Sequence, residues 1–239
     1  MTAETPRSMN PRKVSIIVPV LNEAAGIVQS LEQLQGFRAV GAEIVVVDGG
    51  STDGTSALAE TLADLVVISP AGRGRQMNAA AAVARGEILL FLHADTRLPP
   101  EAVSLISSAI GKGVCWGRFD VEIAGKLRGL GMVAFMMNWR SRLTGIATGD
   151  QAIFVTREAF EQCGGFAAIP LMEDIVFSQT MCKRASPACL HSRVITSGRR
   201  WEKNGLLRTI LMMWWLRLRF SLGANPDKLA QVYGYGAQH

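Results

Sequence analysis

The chain has 239 residues, a formal net charge of +5 and a sequence pI near 9.3. This length can bury a full core and predicts one domain with room for a short extension. The basic charge suits an anionic partner, but no helix-turn-helix, zinc-finger or RNP motif is present, so we expect no nucleic-acid binding. The four cysteines lie at wide spacings without a CxxC pair, which indicates reduced thiols.

The N-terminal segment, residues 1–12, is polar and lacks the apolar region of a signal peptide. It predicts a flexible tail on a cytoplasmic chain. Apolar strands and helices then alternate along the first half, which favours a mostly parallel, doubly wound α/β sheet flanked by helices. The predicted strands cover 14–20, 44–48, 65–69 and 87–95, and the predicted helices cover 24–35, 56–63 and 72–85. Residues 13–100 are thus predicted to form a nucleotide-binding half.

The pattern changes after residue 100 to an α+β half over residues 101–204, on which we expect an acceptor to bind. A helix is predicted over 101–110, a strand over 116–123 and a helix over 127–142. A polar loop then leads into a strand over 148–155, and Glu173 and Asp174 open a later helix. Both carboxylates would lie at the positive end of that helix.

Residues 205–239 predict a C-terminal helical extension. Eight uncharged residues between Arg208 and Arg217 are too few to span a bilayer, which takes about 20. Trp214 and Trp215 among arginines suit an interfacial helix at the inner face of a membrane. The same pattern also suits a helix that packs against the core or forms a homodimer interface. Both alternatives stay open at this point.

Acids follow two of the predicted strands, Asp48 and Asp95, and the pair at 173–174 opens a helix. Carboxylates at the carboxyl ends of strands suit a divalent cation that bridges phosphate oxygens. Arg73 and Arg75 are flanked by glycines, which allow the backbone to approach phosphates closely. The pattern therefore indicates a site for a phosphorylated ligand at the sheet edge.

These motifs together resemble glycosyltransferase family 2. The resemblance covers about residues 13–200 and rests on segments in the family's order and spacing: 18–23 (VPVLNE), 47–55 (VDGGSTDGT), 72–78 (GRGRQMN), 91–96 (FLHADT) and 172–174 (MED). The chain is still more similar to a bacterial subgroup associated with arsenosugar biosynthesis, through segments 117–120 (GRFD), 140–151 (RSRLTGIATGDQ) and 197–202 (SGRRWE). The family implies a GT-A fold, a nucleotide-sugar donor and inversion at the anomeric carbon.

The resemblance also implies roles for individual residues. Asp174, or alternatively Glu173, would be the catalytic base, and Asp95 would bind Mn²⁺ or Mg²⁺. The implied nucleotide-sugar site consists of Pro19, Glu23, Asp48, Arg75, His93 and Asp95. A UDP-sugar is the expected donor, while the acceptor stays open. We expect Asp150, Gln151, Arg200 and Trp201 to contact the acceptor or the donor sugar, with the Trp201 ring available for stacking.

The sequence departs from the family pattern at Gly49 and His93, which stand where acids are usual. Imidazole is a poor ligand for magnesium, so these departures predict weak metal binding. They also leave a second hypothesis open, that of a catalytically silent protein that binds nucleotide sugars. A sugar nucleotidyltransferase is the third, but segment 18–23 lacks the glycine-rich loop of that class.

Overall fold

The computed structural model describes residues 13–234. The predicted tail at 1–12 and the end of the predicted extension, 235–239, lie outside the described residues. The strands are β1 Val14–Val20, β2 Glu43–Asp48, β3 Leu65–Ile68, β4 Ile88–Phe91, β5 Thr96–Arg97, β6 Trp116–Ala124, β7 Ile153–Thr156 and β8 Ala188–Ser197. The helices are α1 Ile27–Glu32, α2 Gln35–Ala39, α3 Thr55–Ala59, α4 Arg73–Val83, α5 Ala102–Gly111, α6 Leu130–Thr144, α7 Arg157–Cys163, α8 Glu173–Cys182, α9 Arg199–Asn204, α10 Leu206–Ser221 and α11 Pro226–Tyr233.

One eight-stranded sheet carries both halves, in the order β3-β2-β1-β4-β7-β6-β8-β5. The strands of the first half, β3-β2-β1-β4, are all parallel, as the sequence predicted. In the second half β7 runs antiparallel to β4 and β6, while β6 and β8 are parallel. The α/β fold is thus confirmed, with its parallel character concentrated in the nucleotide-binding half.

Apolar side chains fill both faces of the sheet. In β1, Ile16 and Val18 point into the core under α1 and α5, whereas Ile17 points into the core under α4, α7 and α8. The same alternation holds in β4, with Leu90 on one face and Phe91 on the other. Strands that are buried on both faces read as continuous apolar runs, which is why the sequence revealed them clearly.

Several predicted boundaries were wrong. Strand β4 ends at Phe91, so Asp95 lies in the loop beyond the strand. The helix predicted over 24–35 is divided between α1 and α2. At the junction the Leu34 N–H donates to the Leu31 carbonyl and the Phe37 N–H donates to the Leu34 carbonyl, so the chain forms tight turns between residues three apart. Helix α7 was missed, although the Thr156 side chain caps it by accepting from the Ala159 N–H.

The C-terminal helices pack against the second half. Leu216 of α10 is completely buried beside Leu171 and Ile175 of the α8 region, and Leu206 and Ile210 pack against the α6 side. The opposite face of α10 is exposed. Within residues 13–234, no helix is both long and apolar enough to cross a membrane.

Candidate active site

The loops after β1 and β2 are tied together at the carboxyl edge of the sheet. The Asn22 N–H donates to Ser51 Oγ at 2.8 Å, and the Thr52 N–H donates to Asn22 Oδ1 at 2.9 Å. The Glu23 N–H donates to Thr55 Oγ1 at 2.8 Å. Asn22 has a φ of 53°, a conformation that asparagine tolerates better than most residues. This network fixes the backbone of Glu23.

Asp48 is 1% exposed, and its Oδ1 accepts three hydrogen bonds from its own turn. The donors are the Gly50 N–H at 3.0 Å, the Ser51 N–H at 2.8 Å and the Ser51 hydroxyl at 2.7 Å. Asp48 therefore holds the turn that borders a first cavity, and its predicted contact with a base stays a prediction. This cavity has a volume of about 620 Å³ and is lined by Leu21, Asn22, Gly49, Gly50, Thr52, Pro70, Ala71 and Arg75.

A second cavity of about 700 Å³ lies between the two halves of the sheet and α10. It brings together nine of the predicted site residues: Pro19, Glu23, His93, Asp95, Asp150, Glu173, Asp174, Arg200 and Trp201. Arg73, which the sequence placed beside phosphates, lines it too. Because Arg75 lines the first cavity and Arg73 the second, the first turn of α4 lies between them. The start of a helix is a favourable place for phosphate oxygens.

Gln151 does not line either cavity. Its side chain is completely buried, accepts from the Thr148 N–H at 3.2 Å and donates to Asn138 Oδ1 at 3.4 Å. The structure thus makes Gln151 an anchor of the 148–151 loop, and its predicted contact with acceptor is left without support. A glutamine that anchors a loop and one that contacts an acceptor look alike in sequence, so the local pattern could not separate these two roles.

Glu23 and Asp95 are two of the acids that line the second cavity. Burial raises the pKa of Glu23; nearby Arg199 opposes the shift and Asp95 adds to it. Asp95 Oδ2 lies 3.8 Å from Nη2 of Arg199. Among residues 13–234, no cluster of three or more acidic, histidine or cysteine side chains is placed to hold a metal ion. The donor set fits a cation that takes one or two carboxylates here and its other ligands from phosphate and water.

His93 and Gly149 pack directly against each other. A Cβ on residue 149 would lie 2.3 Å from His93 Nε2, so only glycine fits there. His93 Nδ1 donates to Asp150 Oδ1 at 3.2 Å. Burial opposes ionisation of Asp150, but the bond and charge of His93, followed by the charges of Arg73 and Arg200, leave its pKa lowered. His93 therefore positions an ionised Asp150, which accounts for the imidazole where an acid is usual.

Asp174 is held by backbone donors on both oxygens. Oδ2 accepts from the Gly149 N–H at 2.9 Å, and Oδ1 accepts from the Ile175 N–H at 2.7 Å. Its neighbour Glu173 is 5% exposed, and burial, followed by the charge of Asp174, raises the pKa of Glu173 to about 7. The two adjacent acids at the start of α8 thus differ: Asp174 is oriented by the loop, whereas Glu173 is buried and easily protonated.

Gly49, the other departure from the family pattern, also has a structural explanation. A Cβ at this position would lie 3.1 Å from the side-chain amide of Gln76. That amide donates to the carbonyls of Val20 at 2.8 Å and Val47 at 3.0 Å, and so joins the ends of β1 and β2. Gly49 therefore leaves room for the Gln76 side chain, which links β1 to β2.

Two arginines of the second cavity were not assigned to the active site from the sequence. Arg140 on α6 and Arg217 on α10 both line its wall, although they are far apart in the chain. Arg140 lies within the 140–151 segment, and Arg217 was one of the C-terminal arginines that an interfacial helix would direct toward anionic lipid. Only the packing of α10 against the second half brings them together.

Comparison with known proteins shows what the chain is similar to. Residues 15–165 match the family described as "Glycosyl transferase family 2". The undecaprenyl-phosphate 4-deoxy-4-formamido-L-arabinose transferase of Pseudomonas paraeruginosa is 28% identical over 145 residues, which are 56% of this chain and 41% of that protein. The dolichol-phosphate mannosyltransferase of Pyrococcus furiosus is 26% identical over 166 residues, 66% of this chain and 46% of that protein.

Solved structures share the fold. A mannosyltransferase from Pyrobaculum calidifontis, in complex with GDP-Man and Mn²⁺, matches with a TM-score of 0.58 at 26% identity, over 78% of this chain and 57% of that one. The predicted GT-A fold is therefore confirmed. The chain spans less than half the length of the curated relatives that it matches.

Proposed function

Because the chain belongs to glycosyl transferase family 2, we propose that it transfers a sugar, with inversion, from a nucleoside-diphosphate sugar to an acceptor hydroxyl. The observation that carries this proposal is the pair of cavities on either side of the first turn of α4, with Asp174 in the second cavity. The resemblance to the arsenosugar-associated subgroup stays a prediction about the biological setting.

The donor is proposed to lie across both cavities. The nucleoside occupies the first cavity beside the turn that Asp48 holds, and the sugar occupies the second. The diphosphate then lies over the start of α4, between Arg75 and Arg73, where the helix dipole and both guanidinium groups favour negative charge. UDP is the first base to test and GDP the second.

Asp95, with Glu23 beside it, is proposed to hold Mn²⁺ or Mg²⁺ together with the donor's phosphates. When bound, the cation would offset the negative charge that develops on the leaving diphosphate. Arg73 and Arg75 supply the same kind of stabilisation from the protein itself.

Asp174 is proposed as the base. The acceptor oxygen attacks the anomeric carbon and forms the new C–O bond as the bond from that carbon to the diphosphate oxygen breaks. The hydroxyl proton passes to the Asp174 carboxylate, and the nucleoside diphosphate leaves with the electron pair. The Gly149 and Ile175 N–H groups orient this carboxylate. A single displacement inverts the anomeric centre.

An apolar surface beside the second cavity is proposed to contact an anionic membrane. Its exposed residues recur at helical spacing on α6, on α10 and at the residue that ends α10: Met132, Phe135, Met136, Trp139, Leu143, Leu207, Leu211, Trp214, Trp215, Leu218 and Leu222. Arg219 stacks on Trp215 at 5.8 Å, a cation beside an aromatic ring as at a headgroup layer. We call these residues the α6/α10 face. A second copy of the chain is the competing occupant.

A screen of nucleotide sugars tests the function directly. Thermal stabilisation with and without Mn²⁺ identifies the donor, and release of nucleoside diphosphate from that donor measures turnover. We expect both signals with one class of donor. Stabilisation without turnover in the presence of candidate acceptors would favour the silent binding protein. Release of pyrophosphate from a nucleoside triphosphate and a sugar phosphate would favour the nucleotidyltransferase.

A further inference from the structure

The second cavity contains two arginine side chains with buried N–H groups that lack partners. Nη2 of Arg140 and Nε of Arg217 are inaccessible to solvent, and no hydrogen-bond acceptor within the described residues reaches them. One side chain comes from α6 and the other from α10, so they approach the cavity from different elements. A buried donor without an acceptor is costly, and such groups are rare in native structures.

Neighbouring arginines on the same side of the fold are differently placed. Arg118 and Arg142 both bind Asp120, and although Nε of Arg118 also lacks a partner, Arg118 has this counterion and does not line the cavity. No such counterion is in ion-pair contact with Arg140 or Arg217 in residues 13–234, although Asp174 acts on both through its charge. The arginine pair is therefore separate from the structural ion network.

The electrostatics of the pair favour an incoming anion. Burial lowers the pKa of Arg140 to about 10, and the charge of Arg217 adds to that effect. Burial likewise lowers the pKa of Arg217, against the opposing charges of Asp174 and Asp150. Two cations at one wall repel each other, and a dianion between them would remove that repulsion.

We propose that Arg140 and Arg217 bind a phosphate monoester group of the acceptor, which places the acceptor hydroxyl at Asp174. The assignment to the acceptor rests on the proposed function; the anion site itself does not. Guanidinium groups match phosphate oxygens with paired, charge-assisted hydrogen bonds, and two of them match the charge of a monoester dianion. Because Asp174 lines the same cavity as both arginines and acts on them through its charge without pairing to them, the anion and the hydroxyl would bind in one cavity.

Binding of inorganic phosphate to the folded protein tests the site. UDP and Mg²⁺ are added in excess so that the donor's phosphate positions are filled, and phosphate is titrated by calorimetry. We expect Arg140→Gln and Arg217→Gln each to weaken phosphate binding by about tenfold or more, since each removes charge-assisted bonds. Arg208→Gln is the matched control, because Arg208 is an exposed arginine of α10 outside the cavity. It should bind phosphate like the unmodified protein.

Two results would overturn the proposal. One is an equal affinity for phosphate in all four proteins, or no binding in any of them, which would mean that the two arginines do not form a phosphate site. The other is acetate binding with the same affinity and the same arginine dependence, which would identify a carboxylate site. Arg140→Lys and Arg217→Lys are used if the glutamine variants misfold. They keep the positive charge but remove the planar guanidinium group that forms paired hydrogen bonds.

The proposed function fails in a different way. If no nucleoside diphosphate stabilises the protein, the donor site is wrong, while phosphate binding that depends on Arg140 and Arg217 can still be measured. Conversely, normal UDP binding with arginine-independent phosphate binding contradicts only the acceptor site.

The source of the phosphate is decided by sedimentation with phosphatidylcholine vesicles that contain or lack phosphatidic acid. Sedimentation that requires phosphatidic acid, Arg140 and Arg217, but tolerates Arg208→Gln, assigns a lipid headgroup. Arginine-dependent binding of free phosphate without such sedimentation assigns a water-soluble acceptor. Equal loss of sedimentation in all three variants indicates general charge attraction and contradicts the lipid assignment.

Discussion

At the scale of single residues, the 148–151 loop carries much of the site. Gly149 contacts the His93 ring, its N–H orients Asp174, and Asp150 is bonded to His93. His93, which departs from the family pattern, is thus linked through the 148–151 loop to Asp174, the candidate base. We infer that His93 acts by positioning acids, and that metal binding depends on Asp95.

Asp174→Asn tests the base. The amide cannot take the acceptor proton, so transfer should fall by about 10²-fold or more, while donor affinity changes little. Rates are measured with saturating donor, and binding by calorimetry. Transfer at the unmodified rate would move the role to Glu173 first and Asp150 second. Because asparagine presents only one acceptor atom to two N–H donors, circular dichroism must confirm the fold.

Glu173→Gln tests the buried acid through the pH dependence of stability. The pKa of Glu173 is about 7 in the fold against 4.5 in the unfolded chain. The folded state thus binds more protons between these values, and unmodified protein should lose stability as pH rises through this window. Glutamine mimics the protonated acid, so the melting temperature of the variant should rise relative to the unmodified protein across the window. The exposed Glu60→Gln control should show no relative change.

At the scale of elements, β6 and α6 are joined by a buried polar network. Arg118 is completely buried and binds Asp120, which also binds Arg142 of α6. Asn138 adds a two-way bond to the backbone of Val121, at 2.8 and 2.9 Å. This network holds α6 against the sheet, and thereby places Arg140 at the cavity.

Asp120→Asn should therefore destabilise the fold strongly. It leaves two arginines without their counterion, a loss of about 3 kcal/mol for a buried pair. Glu122→Gln, on the same strand, removes an exposed pair with Arg193, whose atoms are 3.5 Å apart, and should cost under about 1 kcal/mol. Urea unfolding measures both. Equal midpoints for the two variants would show that the buried network contributes little.

The α6/α10 face yields a prediction of its own. The double variant Leu211→Glu and Leu218→Glu places charges on exposed positions outside the cavity, and should abolish sedimentation with anionic vesicles. Val40→Glu is the control, since Val40 is 72% exposed on another part of the fold. If the unmodified protein stays in the supernatant at low salt and the double variant changes a dimer to a monomer, the face binds a second copy.

At the scale of the whole molecule, the second cavity is built from both halves and the C-terminal helices. A ligand that bridges these parts should stabilise all of them together, by about 2.7 kcal/mol at a hundredfold excess over its dissociation constant. We therefore expect the matching nucleoside diphosphate to raise the single melting temperature, and Mn²⁺ to increase that rise.

Asp95→Asn should remove the part of this stabilisation that needs Mn²⁺ and leave the metal-free melting temperature nearly unchanged. The side chain is 35% exposed and its charged contact with Arg199 is long, so its loss costs the fold little. An unchanged response to Mn²⁺ in this variant would exclude Asp95 as the metal ligand.

The sequence by itself determined the parallel half of the sheet and the place of most site residues. Strands buried on both faces are unbroken apolar runs, and the acids and glycines that follow them mark the ligand-binding edge. Local signals of this kind indicated Asp95 and Asp174, which follow a predicted strand and open a predicted helix, whereas the role of Glu23 was implied only by the resemblance to the family.

Only the tertiary structure decided which side chains face the cavity. Gln151 is buried beneath the loop, Gly49 leaves space for Gln76, and Arg140 meets Arg217 across two helices. Each of these depends on contacts between residues that are distant in the chain. Periodicity assigns a residue to a helix or strand, but the neighbour that will cover it is set by how those elements pack.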